Sequence, residues 1–255
     1  MKDNRRVLAV GAHPDDVEFS CGGTLALLRQ KGYEVATATM TAGNGGSQEL
    51  STFDIGNTRR KEAAASAELI GAQYFCMEVD DLAVDVTPEL RRKVTELIRT
   101  VDPFMIFCPP LDDYLFDHEN TGRLVRDATF CANVPLYGSS AGKKATAGLA
   151  NLYYCAPVTG YDNYGRFVKM PTVIDITSAI ETKKQMLACH ASQRNWLREK
   201  HGMDEYTESG LAWSAKTGEL AGFTYAEGFR QHLGPFYPHD DILLNILDGR
   251  KLEEA

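Results

Sequence analysis

The sequence contains no CxxC pair. Its six cysteines (Cys21, Cys76, Cys108, Cys131, Cys155 and Cys189) are scattered, and none of their spacings is that of a structural zinc site. Several lie in apolar runs, such as Tyr74-Phe-Cys-Met77 and Ile106-Phe-Cys108, where buried free thiols are expected. A reducing, cytoplasmic location follows. No apolar window approaches the roughly 18 residues that a membrane span requires. The opening Met1-Lys-Asp-Asn-Arg-Arg6 is charged and has no apolar signal core. Internal repeats and low-complexity tails are also missing. Positive charge is scarce: the formal net charge of −8 argues against a nucleic-acid partner and against an anionic membrane surface. What is present is an ordinary soluble composition, 44% hydrophobic over 255 residues. One domain of that length buries roughly three quarters of its unfolded surface.

Strand-like and helix-like segments alternate. Val7 to Gly11 is apolar and small, the pattern of a strand buried on both faces. Leu25, Leu27 and Leu28 mark a short helix from Gly23 to Gly32, and Glu34 to Thr41 alternates as a second strand. Residues 58–71 read as a helix and Tyr74 to Val79 as a third strand. Thr87-Pro88-Glu89 opens a helix with a hydroxyl cap, a first-turn proline and an acid. Phe104 to Cys108 is a continuously apolar, central fourth strand. A helix from Glu119 to Ala132 follows, then a small, polar loop over 138–150, strands at 151–158 and 172–176, and a helix from Ala179 to His190. Beyond Ser192 the aromatics Trp196, Tyr206, Trp213, Phe223, Tyr225 and Phe229 are not periodic. They predict the core of a smaller C-terminal lobe over about 191–255, with a last helix near Asp240 to Leu247. The fold class is therefore α/β: one domain with a Rossmann-like, mostly parallel sheet and helices on both faces.

Chemistry gathers at strand ends, where open α/β sheets bind ligands. His13-Pro14-Asp15-Asp16 follows the first strand, Gly43-Asn-Gly-Gly46 the second, and Asp112, Asp113, Asp117 and His118 the fourth. Two histidines plus a carboxylate form a catalytic ligand set for Zn²⁺ or Fe²⁺ with open positions. The alternative is a loop whose aspartates only cap the next helix. A nucleotide-binding Rossmann site is disfavoured, because His-Pro-Asp-Asp stands where phosphate-binding glycines belong. The glycine loop also lacks the P-loop lysine and reads as a plain turn beside the site.

Ala12-His-Pro-Asp-Asp-Val-Glu18 followed by Gly22-Gly23 resembles the signature of the PIG-L/LmbE-like zinc-dependent N-deacetylases. Further segments match in order: Arg59-x-x-Glu62 leading to Ile70-Gly71, the Asp80 region, Asp113-Tyr114 to Asp117-His118, and His190-x-Ser-Gln193. The resemblance runs from about residue 5 to about residue 195. It implies a hydrolase that removes an acyl group from an N-acetylglucosamine-type amino sugar. His13, Asp16 and His118 would hold one zinc ion per chain, and Asp15 would be the general base. Glu119 and Asn120 would fix the tautomer of His118. Arg59 and Asp80 become candidate substrate contacts, and relatives of this kind often form homo-oligomers.

One position departs from the pattern. The family's His-x-Asp-His is Leu115-Phe-Asp-His118 here, and leucine cannot donate a proton. His232 is the first candidate to supply the missing function, with His190 and His201 behind it. The alternatives are that zinc suffices for a more reactive substrate, or that this is a metal-binding relative that has lost hydrolysis. His190, on an apolar helical stretch, reads otherwise as a core histidine, and Glu18 as a second-layer partner or a helix-start acid.

Overall fold

The structure, a computed structural model, describes residues 4–138, 142–194 and 206–253. The chain runs β1 (Arg6–Gly11), α1 (Asp16–Gln30), β2 (Glu34–Thr41), α2 (Thr52–Leu69), β3 (Gln73–Val79), α3 (Pro88–Val101), β4 (Met105–Cys108), α4 (Phe116–Asn133), β5 (Asn151–Cys155), β6 (Thr172–Asp175), α5 (Ile180–Ala188), α6 (Tyr206–Ala221), β7 (Ala226–Gln231), α7 (Ile242–Ile246) and β8 (Gly249–Lys251). The expectations for Trp196 and His201 fall outside the described residues.

The strands form one eight-stranded sheet in the order β3-β2-β1-β4-β5-β7-β6-β8. β1 to β5 pair in parallel, and β7, β6 and β8 extend the sheet through antiparallel pairings. Alternation along β1 divides the core. Leu8 and Val10 pack on one face with residues of α3 and α4, while Val7 and Ala9 pack on the other with α1 and α5. That is why the strand reads as continuously apolar: both of its faces are covered. The described residues beyond 190 do not stand apart from the sheet. They contribute β7 and β8 to it and lay α6 beside α5 and β7.

Three helices begin earlier than the residue pattern suggests. α2 starts at Thr52, behind a Ser51 hydroxyl that accepts from Asp54 N at 3.1 Å. α4 starts at Phe116, so His118 lies within its first turn. α1 starts at Asp16 and runs straight through Gly22-Gly23, the pair that the sequence presents as a helix boundary.

Tertiary contacts explain the continuity of α1. Glu227, on β7, accepts from Gly23 N at 2.9 Å and from Thr24 N at 2.7 Å. Lys183, on α5, donates to Phe19 O at 2.7 Å and to Glu227 at 2.7 Å. A buried ion pair thus reaches into the backbone of the helix, and Ile176 packs where any Cβ at Gly23 would stand, at 2.8 Å. The two side chains are only 1% and 2% exposed, so either one left alone is an uncompensated buried charge. Glu227→Ala is therefore expected to lower unfolding free energy by about 3–5 kcal/mol. Urea denaturation measures it, and an unchanged midpoint would contradict the reading.

Candidate metal centre and active-site cavity

β1 and β4 are hydrogen-bonded neighbours, and both end at the same edge of the sheet. β1 delivers His13, Asp15 and Asp16, and β4 delivers the loop that carries Asp113 and leads into His118 on α4. His13 Nδ1 and His118 Nε2 lie 3.3 Å apart. Asp16 Oδ2 is 3.7 Å from the first and 3.5 Å from the second. Ligand atoms bound tetrahedrally at about 2.0–2.1 Å stand about 3.3–3.4 Å from one another, so this triangle suits a small divalent ion.

The outer nitrogens decide the tautomers. His118 Nδ1 faces Asp113 Oδ1 at 2.9 Å, and His13 Nε2 faces Asp117 Oδ2 at 3.1 Å. Each contact places the proton on the outer nitrogen and leaves the inner one as a ligand. The carboxylates are held in turn: Asp113 accepts from Val158 N at 3.2 Å, and Asp117 accepts from Leu82 N and Val84 N at 2.8 and 3.2 Å. Glu119 and Asn120 do not touch His118. Glu119 accepts from Asp113 N at 3.2 Å and Asn120 donates to Val84 O at 2.8 Å, so both brace the loops around the ligands.

The charged groups are largely buried and lie within a few ångströms of one another. Burial alone would lower the pKa of His13, but its bonds to Asp117 and Asp16 outweigh that and push it up to about 10. Burial likewise works against the charged form of His118, and Asp16 and Asp113 raise it all the same. Burial would raise Asp16, yet His118 and His13 hold it below the usual carboxylate range. Both shifts show that this acidic setting favours positive charge in the triangle.

Asp15 is placed differently. It occupies the N-cap position of α1 at φ 103°, a backbone conformation that costs a non-glycine residue about 1–3 kcal/mol, and its side chain makes no capping bond. The carboxylate instead turns toward Tyr206, whose hydroxyl donates to Oδ2 at 2.5 Å. Arg59 Nη2 stands 3.7 Å from the same oxygen. Burial raises the Asp15 pKa, against the pull of Arg59 and His190.

These groups line a cavity of about 610 Å³, whose walls include His13, Asp15, Asp16, Arg59, Leu115, His118 and Tyr206. Arg59 is itself 4% exposed. It donates to Pro14 O at 2.7 Å and to Gly43 O at 3.3 Å, tying the His-Pro-Asp-Asp turn to the glycine loop. Gly43, at φ +72°, leaves no room for a side chain: a Cβ there would meet the guanidinium at 2.5 Å. Arg59 Nε has no partner. Glu62 binds Ser192 N and Oγ at 2.8 and 2.5 Å, so two of the segments quoted above meet in space. His190 is fully buried with its Nε2 3.2 Å from Glu18 Oε1, off the line of a good hydrogen bond.

Two expected residues are not brought to the cavity. His232 Nδ1 lies 3.1 Å from Tyr154 Oη, and its ring packs edge-on against Tyr237. Its expected role as substitute for the histidine absent at Leu115 therefore has no contact to stand on. Asp80 accepts from Asn44 Nδ2 at 2.6 Å, and it is the neighbouring Asp81 that lines the cavity. Sequence reasoning missed Asp113 and Asp117 as orienting partners, although both stood within five residues of His118. It also set Tyr206 aside as lobe core. No local signal marks that tyrosine, which is 191 residues from Asp15 in the chain.

Residues 8–129 match the family model described as PIG-L: GlcNAc-PI de-N-acetylase. That match reaches from β1 into α4 and covers just under half of the chain. It is 28% identical to a diacetylchitobiose deacetylase of Thermococcus kodakarensis, over 92% of this chain and 88% of that protein. It is 25% identical to a 4-oxalmesaconate hydratase of Pseudomonas putida, over 89% of this chain and 88% of that one. Among solved structures, N,N'-diacetylchitobiose deacetylase of Pyrococcus horikoshii superposes with a TM-score of 0.76 at 26% identity, covering 92% of this chain and 88% of the other. Proteins similar to this chain thus include both a deacetylase and a hydratase.

Two outcomes follow from the geometry. Since His13 and His118 bind protons more tightly than free imidazole, a metal must displace them, and apparent affinity rises with pH through neutrality. Titrating the metal-free protein with Zn²⁺ in weak buffer at pH 7 should release protons, and a titration without release would contradict the assignment. Asp113→Ala should weaken metal binding about 10–100-fold by equilibrium dialysis. Unchanged affinity would remove Asp113 from the site.

Proposed function

We propose that the protein is a zinc-dependent N-deacetylase acting on a small N-acetylated sugar derivative. One observation carries this reading: a buried carboxylate, Asp15, that has no share in the ligand triangle stands beside it on the wall of a cavity large enough for a sugar. His13, Asp16 and His118 would hold the ion. When bound, zinc lowers the pKa of water to about 7 and polarises a carbonyl oxygen as a Lewis acid.

The chain's own groups do the rest. Asp15, raised by burial, accepts the proton of the attacking water as the new C–O bond forms. Asp113 and Asp117 keep both histidines in the ligand tautomer. Arg59 fixes the turn that presents Asp15, and as a lining residue it is the candidate for contact with a substrate hydroxyl. Asp80 would then act through Asn44 and the glycine loop rather than by direct contact.

A hydratase reading draws on the Pseudomonas relative and on Leu115, since adding water expels no amine. The walls weigh against it. Apart from the ligand triangle, the described lining sets Asp15 and Asp81 against Arg59 alone, whose guanidinium already serves two backbone carbonyls, a poor match for a substrate rich in carboxylates, whereas an N-acetyl sugar is neutral there.

Acetate release from N-acetylglucosamine derivatives should depend on one bound zinc and cease with a chelator. Asp15→Asn should lower kcat about 10²–10⁴-fold while retaining the metal. A zinc-loaded protein that releases no acetate from such a panel would refute the proposal and favour the non-hydrolytic alternative.

A further inference from the structure

Cleaving an amide requires a proton on the departing nitrogen, because an amide anion is too poor a leaving group to be expelled. Leu115, at the N-cap position of α4, lines the cavity but carries no such proton. His232 stacks with Tyr154 and Tyr237, elsewhere. Among the described lining residues, the Arg59 guanidinium is too weak an acid, Ser209 spends its hydroxyl on Tyr206 O at 2.8 Å, and neither Tyr114 nor Thr159 has a hydrogen bond to Asp15 through which a donated proton could be returned. Tyr206 remains. It is 3% exposed, edge-on to Phe19 with ring centroids 4.9 Å apart, and it opens α6 with its hydroxyl directed at Asp15.

We infer that Tyr206 relays the proton from Asp15 to the leaving nitrogen and so performs the step that Leu115 cannot. This rests on the amide-hydrolase reading above. The attacking water gives a proton to Asp15 as its oxygen bonds to the carbonyl carbon. The C–N bond then breaks, and its electron pair stays on nitrogen. Nitrogen takes the proton of Tyr206 Oη, and Asp15 Oδ2, hydrogen-bonded to that oxygen, restores it. One water and one amide become a carboxylic acid and an amine, and both side chains return to their starting state. Burial beside Asp15 pushes the phenol well above its ordinary pKa. The 2.5 Å bond between Oη and Oδ2 lets the two transfers run together, with no free phenolate.

The test is Tyr206→Phe in the metal-loaded enzyme, a change that removes one oxygen and leaves the ring against Phe19. On an N-acetyl sugar kcat should fall about 10²–10⁴-fold. On 4-nitrophenyl acetate, whose leaving group needs no proton, the loss should be at least about tenfold smaller than on the amide, with metal content unchanged. Equal losses on both substrates would mean that Tyr206 only positions Asp15, and would overturn the relay. So would an amide kcat within about threefold of the parent. A proton inventory of the parent enzyme in H₂O–D₂O mixtures tests the same point without a variant. Two protons in flight give a curved plot, and a linear plot contradicts the relay. If the parent releases acetate from no amide, it is the proposed function that fails, and the relay with it.

Discussion

The site depends on how one concentration of buried negative charge is answered. Asp15, Asp16, Asp113 and Asp117 are each less than a tenth exposed, and they crowd around two imidazoles at one edge of the sheet. Isolated carboxylates do not survive such burial without partners. Each here has its own: backbone N–H groups for Asp16, Asp113 and Asp117, a phenol and a guanidinium for Asp15. The ligand triangle is the one place where the balance calls for a cation. The shifts of both histidines toward the charged form answer that call in part, and a divalent ion would answer it fully.

That balance needs several remote elements in register. β1 and β4 must be neighbours for His13 to reach His118, and α1 must start at Asp16 to aim both aspartates. The helix is in turn seated by Lys183 and Glu227, from α5 and β7. The later part of the chain therefore does more than cover a finished core. It anchors the first helix and supplies the phenol that holds Asp15.

The sequence was legible where function leaves a local pattern. The apolar run of β1, the proline after His13 and the acids behind it place a metal or acid–base site at a strand end, and the β/α alternation gives the parallel sheet. Helix starts were less legible. α1 tolerates Gly22-Gly23 only because side chains distant in sequence bind its backbone, and no propensity reveals that. The orienting roles of Asp113 and Asp117 need three-dimensional geometry, since adjacency to His118 suggested Glu119 and Asn120 equally well. Tyr206 was illegible for a stronger reason: its neighbours in sequence say nothing of Asp15, which it meets only after the sheet is assembled. Leu115 was legible as a loss, whereas the group placed to compensate for it was not.

The account stands or falls on what the triangle binds. Zinc-edge X-ray absorption on the protein loaded with one equivalent of Zn²⁺ examines it directly. The account predicts a first shell of nitrogen and oxygen alone at about 2.0–2.1 Å, with the outer scattering of two imidazoles. In His118→Ala one imidazole contribution should disappear. A sulfur scatterer at about 2.3 Å, or a shell unchanged by that substitution, would place the metal elsewhere and contradict the account.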